Sequence, residues 1–534
     1  MTAPTAGRPG TVRGRALLGL VIAGTALVVI DMTIVTIALP AIQADLRGTL
    51  AGIQWVIISY MITMGAVTQV AGSLSDRIGR RRMYLLGIAL FTAASIVCGA
   101  APTTVVLDLA RAVQGIGGAI LMVNALPLLS RQLDGERRNM AISTWGSAAT
   151  AAGLIAPLLG GILVDTLGWR AIFLINVPIG AAAFVMCLRT LPADVTTRDR
   201  RGARHGRTDW AGTTLLIGAL ALANLALLRG EDQGWGSAAT LTQLTIATVL
   251  FAVFLLLQSR TGAPTLDLAL FRKPAFTGAA LGIFISRVLT IGGTVYFVQF
   301  FQGSMHLNPT QSGLLLTPVF LAQMAAGMLG GKLLSRYAPG HVIAVGYACK
   351  AAGAALLAPA FTPAVSPWLL IVPLLIWGVG GGIAGAPVMA VAMNVTDTER
   401  AGMVAGTITS LASIGAGIGT AVLGAVYTAR IADVIATASP LPAAAREAVL
   451  SAAADGDIQH VLDLAPAATR ATIEALLGDA IASGASAVLY SSAGLALITI
   501  ALVLTLISQR NLPRPAASNQ RADPHPQQEG RPSP

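Results

Sequence analysis

Apolar residues in this chain gather into long, nearly unbroken runs, and charged residues collect between them. A hydrocarbon core about 30 Å thick takes about 20 helical residues to cross. In the first part of the chain, runs of that length occupy 16–39, 53–74, 83–101, 105–128, 141–163 and 171–191. Two more follow at 210–228 and 241–258, and six at 275–301, 313–334, 342–360, 368–393, 401–429 and 485–507. The pattern predicts about fourteen membrane-crossing helices. The first run is long and leads straight into others, which marks an anchor and not a cleaved signal peptide.

Composition agrees. Of 534 residues, 54% are apolar and 11% charged, against about 25% charged in a soluble domain. Mean hydropathy is +0.72. These values exclude a disordered protein, a coiled coil and an ordinary cytosolic enzyme. The net charge of +11 forms no exposed basic face, so no nucleic-acid partner is expected. Cys98, Cys187 and Cys349 each sit inside an apolar run, as small core hydrophobes would. The five His residues are scattered, and neither a metal nor a cofactor is expected.

Lys and Arg fix the expected orientation. Arg8, Arg13, Arg15, Arg77, Arg80, Arg81, Arg82, Arg131, Arg137 and Arg138 fall on one side, as do Arg198 to Arg207, Arg272, Lys273, Arg336, Arg400, Arg510 and Arg514. The other side receives Arg47, Arg170 and Arg229, plus a net acidic segment holding Arg430, Arg446 and Arg470. Both termini are therefore expected in the cytoplasm, which demands an even number of helices. A short motif recurs: Gly72–Arg77 closes the second run, and Gly331–Arg336 closes the second of the last six. Two related six-helix bundles, as in many secondary transporters, account for it. The expected layout is an N-terminus at 1–15, a first bundle at 16–191, and linkers with two extra helices at 192–274. A second bundle follows at 275–508 with an outer loop at 430–484, then a disordered cytoplasmic tail at 509–534.

Several motifs then point the same way. Asp31 opens Asp-Met-Thr-Ile-Val-Thr-Ile-Ala-Leu-Pro on the first helix. Gly72 to Arg81 form the first cytoplasmic hairpin, and Arg111 to Gly117 read Arg-Ala-Val-Gln-Gly-Ile-Gly on the fourth helix. Gly153 to Gly161 on the fifth read Gly-Leu-Ile-Ala-Pro-Leu-Leu-Gly-Gly, and Asn176-Val-Pro-Ile-Gly180 leads into the sixth. In this order the chain resembles the major facilitator superfamily, and within it the fourteen-helix drug:proton antiporters. It departs from their pattern at Thr36, more often Asn, and at Ala156, more often Gly. The resemblance covers about residues 16–508. It implies an all-α integral membrane fold of the major facilitator type, working as a monomer in a bacterial cytoplasmic membrane.

Asp31 is the leading candidate residue, because a carboxylate deep in a membrane helix is costly and usually functional. By helical rise it lies about 12 Å from the outer end of its run, and Arg111 about 9 Å from the outer start of its own. The two are at similar depth. Burial opposes the carboxylate's charge and a guanidinium supports it, a balance suited to exchanging a proton. The resemblance implies that Asp31 and Arg111 are the proton-coupling pair. A purely structural ion pair is the alternative, and Asp108, one turn outward, competes for the arginine.

In the first hairpin, Gly72, Asp76, Arg77, Gly79 and Arg80 are expected, from the resemblance, to latch the two bundles in one state. Arg80, Arg81 and Arg82 also serve as topology signals. The helix-5 motif, with Gly153, Pro157, Gly160 and Gly161, makes a thin, bent surface for close helix approach. It either seals one face of the cavity or only packs. Arg287 and Lys350 are unusual cations well inside apolar helices, whereas the tenth and thirteenth helices carry no acidic residue across the membrane. With Gln323, Gln114 and Tyr296 they are candidate cavity residues, favouring neutral, zwitterionic or anionic amphiphiles over dications. Snorkelling or capping of carbonyls is the alternative for both cations.

The function expected is proton-coupled efflux of amphiphilic drugs or antibiotics by alternating access, with protons, a small amphiphilic substrate and the lipid bilayer as partners. A metabolite or lipid facilitator of the same superfamily is the second reading. A polytopic enzyme is disfavoured, since the sequence holds no nucleophile triad, metal cluster or phosphate loop.

Overall fold

The computed structural model of the chain describes residues 9–132, 135–191, 209–261, 266, 268–334, 336–394, 401–437 and 467–508. They form an all-helical structure. The first six crossing helices are α1 (Pro9–Leu46), α2 (Leu50–Ile78), α3 (Arg80–Gly99), α4 (Thr104–Gln132), α5 (Gly135–Leu167) and α6 (Ala171–Thr190). The extra pair is α7 (Trp210–Gln233) and α8 (Ala238–Arg260). The last six are α9 (Pro274–Ser304), α10 (Pro309–Leu333), α11 (Pro339–Ala360), α12 (Pro367–Asn394), α13 (Ala401–Thr437) and α14 (Ala467–Leu506). Thirteen of these fourteen are long and apolar enough to span a membrane, and α2 carries the shorter apolar stretch Gly52–Thr68.

Local sequence explains many of the ends. Thr49 caps α2 by accepting from the Gly52 amide at 3.0 Å, and Ser237 caps α8 in the same way. Asn308 and Gln311 form a reciprocal capping box at the start of α10. Proline in the first turn, where no backbone donor is needed, begins α9, α10 and α11. At the hairpin between α2 and α3, Gly79 has φ 108°, a conformation that a Cβ would strain.

The duplication is visible in the packing. In the first bundle α2 and α3 pack on α4, α1 on α5, and α3 on α6. In the second, α10 and α11 pack on α12, α9 on α13, and α11 on α14. The bundles meet along α2–α13 and α5–α10, which exchange roles under the repeat. The extra pair lies alongside the α2–α13 seam. Leu216 and Leu220 of α7 pack with Ile58 and Ile62 of α2 and Ala421 of α13. Asp209 starts α7 by accepting from the Gly212 amide at 2.7 Å, and its other carboxylate oxygen accepts from Gln258 of α8.

Three features differ from the sequence reading. Helix α1 begins seven residues earlier than its apolar run. The outer segment 430–484 is helical at both flanks, because α13 continues to Thr437 and α14 starts at Ala467. There Ile473, Leu477, Ala480 and Ile481 recur on one buried stripe while Glu474 and Asp479 face out, an amphipathic pattern invisible to a search for unbroken apolar runs. Finally, α9 contains two π-helical segments, Val288–Gly292 and Phe300–Ser304. Residues 438–466 and the tail at 509–534 lie outside the described residues.

Candidate functional site

Five helices of the first bundle, α1, α2, α3, α4 and α6, converge on one closed polar centre. Asp31 of α1 is wholly buried and Arg111 of α4 is 1% exposed, and the guanidinium Nη1 donates to Asp31 Oδ2. The same Nη1 donates to Gln114 Oε1 at 2.8 Å, and Arg111 Nε donates to the Val56 carbonyl of α2 at 2.9 Å. The guanidinium carbon stands 4.2 Å from the Tyr60 ring centroid, an apolar platform that also attracts the cation. The other carboxylate oxygen of Asp31 accepts from Gln114 Nε2 at 2.9 Å and from Asn176 Nδ2 at 3.2 Å. Ser95 accepts from both amides and donates to the Phe173 carbonyl at 2.9 Å.

The spacing of the chain produces this. Arg111 and Gln114 are three residues apart, hence on one face of α4. The break between the short helix Ala171–Leu174 and Asn176–Thr190 aims Asn176 inward. Asp31, Arg111, Gln114, Asn176 and Ser95 are all hydrogen-bonded, as burial of an ionic pair requires, whereas the buried Tyr60 hydroxyl has no partner among the described residues. Asp108, one turn outward on α4, feels the Arg111 charge without bonding to it. No hydrogen bond joins it to Arg111 among the described residues, and its Oδ1 is buried without a partner.

Gln114, a cavity candidate in the sequence, is enclosed by the Asp31 network. Ser95 and Tyr60 were not singled out. A serine or tyrosine in a membrane helix carries little signal alone, and only the depth of Arg111 marks which faces of α2 and α3 meet it. Tyr296 also lies away from the other cavity candidates. Its hydroxyl donates to the Thr420 carbonyl at 2.7 Å and accepts from Gln54 Nε2 at 3.2 Å, tying α9 to α13 and α2.

The remaining candidates fall into three places. At the hairpin, Ser75 donates to Asn124 of α4, and Arg80 Nη1 approaches the same oxygen at 3.5 Å. Arg77 is half-buried, and Gly72 faces Val123 of α4. The Asp76 side chain lies outside the described residues. On α5, Gly153 and Gly160 lie over Val29 and Ile34 of α1, while Pro157 and Gly161 face α10. A Cβ at Gly161 would come within 2.5 Å of the Pro309 carbonyl oxygen, and one at Gly313 within 2.3 Å of the Pro157 carbonyl oxygen. The two backbones therefore touch at the end that the Arg distribution assigns to the outside. Asp165 of α5 accepts there from the Thr310 amide at 2.9 Å and from the Thr310 hydroxyl. Gln302 of α9 donates to the Ile37 carbonyl of α1 at 3.0 Å. In the second bundle, Lys350 and Gln323 converge on Gly381 of α12, and Arg287 lies three residues before Thr290, which accepts from Lys350 Nζ.

Two packed six-helix repeats with a buried carboxylate–guanidinium centre between the helices of one of them have the build of a secondary transporter of the membrane. The Major Facilitator Superfamily model matches residues 21–420, and the chain belongs to that superfamily. It is a multi-pass membrane transporter. The multidrug resistance protein Stp of Mycobacterium tuberculosis is 35% identical over 77% of this chain and 76% of its own length. The tetracenomycin C resistance and export protein of Streptomyces glaucescens is 33% identical over 77% of this chain and 75% of its own. The drug efflux pump JefA of Mycobacterium tuberculosis is 32% identical over 93% and 97%. Among solved structures, a bacterial homologue of the human lysosomal transporter Spinster, inward-facing and unoccupied, superposes with a TM-score of 0.66. It covers 96% of this chain and all of its own at 18% identity, a likeness of fold.

Proposed function

We propose that this protein is a proton-coupled exporter of amphiphilic drugs or antibiotics, acting by antiport across a bacterial cytoplasmic membrane. The observation that carries the proposal is the enclosed Asp31–Arg111–Gln114–Asn176 centre. A lone carboxylate there is the group best placed to take and release a proton, since Arg111 stays charged throughout. Protonation removes the ionic attraction to Arg111 and keeps only hydrogen bonds. The centre ties α1 to α2, α4 and α6, so that change alters how firmly α1 is held. Helix α1 also borders the contact between the bundles through Ile37 and Gln302. Proton binding and bundle rocking thus share one helix.

The Gly161–Gly313 contact and the Asp165–Thr310 bonds close one end of the bundle seam, and the hairpin at Gly79 lies at the other. An exporter would open this outer contact as the hairpin end closes. The names of the similar proteins, resistance and export proteins, favour outward transport of drugs over uptake of a nutrient. A bacterial strain stripped of its own exporters and expressing the chain should keep amphiphilic dyes out, and a protonophore should abolish that exclusion. Exclusion that persists after the proton gradient collapses would contradict antiport.

A further inference from the structure

The first bundle neutralises its buried charge internally, and the second does not. From residue 275 to residue 394, the whole of α9 to α12, the sequence contains no Asp or Glu. The acidic side chains described in the second bundle, Asp433, Glu474 and Asp479, are all exposed on the outer parts of α13 and α14. Yet α9 and α11 each carry a cation far inside. Arg287 lies about 20 Å and Lys350 about 17 Å along its helix by rise, and Arg287 stands three residues before Thr290, whose hydroxyl accepts from Lys350 Nζ, so the two cations flank one turn of α9. Asp31 cannot serve them, being bound to Arg111, Gln114 and Asn176.

Neither snorkelling nor capping accounts for Lys350. It is 1% exposed, and its Nζ donates at 2.6 Å to the Thr290 hydroxyl and stands 4.9 Å from the Trp377 ring centroid. Thr290 sits in the π-helical segment Val288–Gly292, which begins directly after Arg287. Such bulges re-aim side chains and concentrate at functional sites. On the facing helix, a Cβ at Gly381 would lie 3.4 Å from Gln323 Oε1 and 3.5 Å from Lys350 Cε, so both side chains converge on one bare patch of α12. Arg287 and Gln323 are half-buried. Neither makes a hydrogen bond or ion pair with a described residue.

We propose that Arg287, Lys350, Thr290 and Gln323 form an anion-binding subsite for the carboxylate or sulfonate head of an amphiphilic substrate, with Trp377 flanking its apolar body. Two cations and two neutral polar groups with no acid in reach demand a counter-charge. The planar guanidinium suits a bidentate carboxylate and the ammonium adds a point charge. The subsite deepens the exporter reading, on which its role in transport rests. Binding itself can be measured without transport, so the two fail separately.

The test uses the purified full chain in an uncharged detergent and three probes of equal length: dansylglycine, its neutral amide, and a dansyl quaternary ammonium. Dansylglycine should bind about tenfold or more tighter than the amide, and the ammonium weakest. Arg287→Gln and Lys350→Gln should each reduce dansylglycine to the affinity of the amide, while Arg287→Lys and Lys350→Arg keep a preference. Both Gln variants relieve like-charge repulsion, so their unfolding temperatures should not fall below wild type. Thr290→Val, which leaves both charges in place, should weaken dansylglycine alone. Equal binding of acid and amide, or tighter binding of the ammonium, overturns the proposal. So does competitive displacement of dansylglycine by chloride at equal ionic strength, which would mark a resident inorganic counter-ion.

Discussion

The buried pair in the first bundle makes an asymmetric prediction. Asp31→Asn leaves a guanidinium that cannot shed its proton, enclosed by Tyr60, Val56 and Gln114 with no counter-charge. Breaking a buried pair in this way costs about 3–5 kcal/mol. Arg111→Gln leaves a carboxylate that can neutralise itself by taking up a proton and still has Gln114 and Asn176 as partners. Its cost should be about half as large, nearer the 1–3 kcal/mol of a lost charged hydrogen bond. The double variant Asp31→Asn/Arg111→Gln should cost less than Asp31→Asn alone, with a coupling energy of about 2 kcal/mol or more. Cys98 and Cys187 are wholly buried and Cys349 is half-buried, so in a Cys349→Ser background a thiol-reactive fluorophore reports unfolding in detergent. Additive effects, or Arg111→Gln as the costlier change, would refute the account of how the centre is held together.

Further expectations concern the ends of the bundle seam. Gly313→Val puts a side chain where the Pro157 carbonyl lies; spin labels on the outer ends of α5 and α10 should move apart, and unchanged distances would count against that contact as a closure. Asp165→Asn removes the charge at the α10 N-terminus, worth about 1 kcal/mol, so the population closed at that end should fall about fivefold by the same distance measurement. Gly79→Ala strains the hairpin at φ 108° by about 1–2 kcal/mol, and its unfolding temperature should fall, whereas Gly146→Ala, inside α5 with open space around it, should not lower it.

Helix number, the repeat and the depth of Asp31 and Arg111 are legible in the sequence because a membrane imposes a fixed run length and makes each interior charge conspicuous. What covers a charge is not legible. Arg111 has two candidate carboxylates in the sequence, Asp31 and Asp108, and only the packing of α4 against α1 and α2 shows that its hydrogen bond goes to Asp31. The partners of Gln114 are hidden for the same reason, since a glutamine three residues after Arg111 lies on the arginine's face of the helix wherever that face points. Helical ends beyond the apolar runs, as at Ala467, escape because exposed Glu474 and Asp479 interrupt the hydropathy while the buried stripe continues. The π-helical turn at Thr290 leaves no mark in the sequence, although Arg287 and Lys350 on either side of it do.

The central claim, that Asp31 couples proton movement to export, is tested most directly in proteoliposomes under an imposed pH gradient. Wild type should drive a panel of labelled amphiphiles against their concentration gradient only while the pH gradient lasts. Asp31→Asn should bind the same amphiphiles and exchange them at equilibrium, yet fail to concentrate them. Undiminished pH-driven accumulation by folded Asp31→Asn would contradict the account.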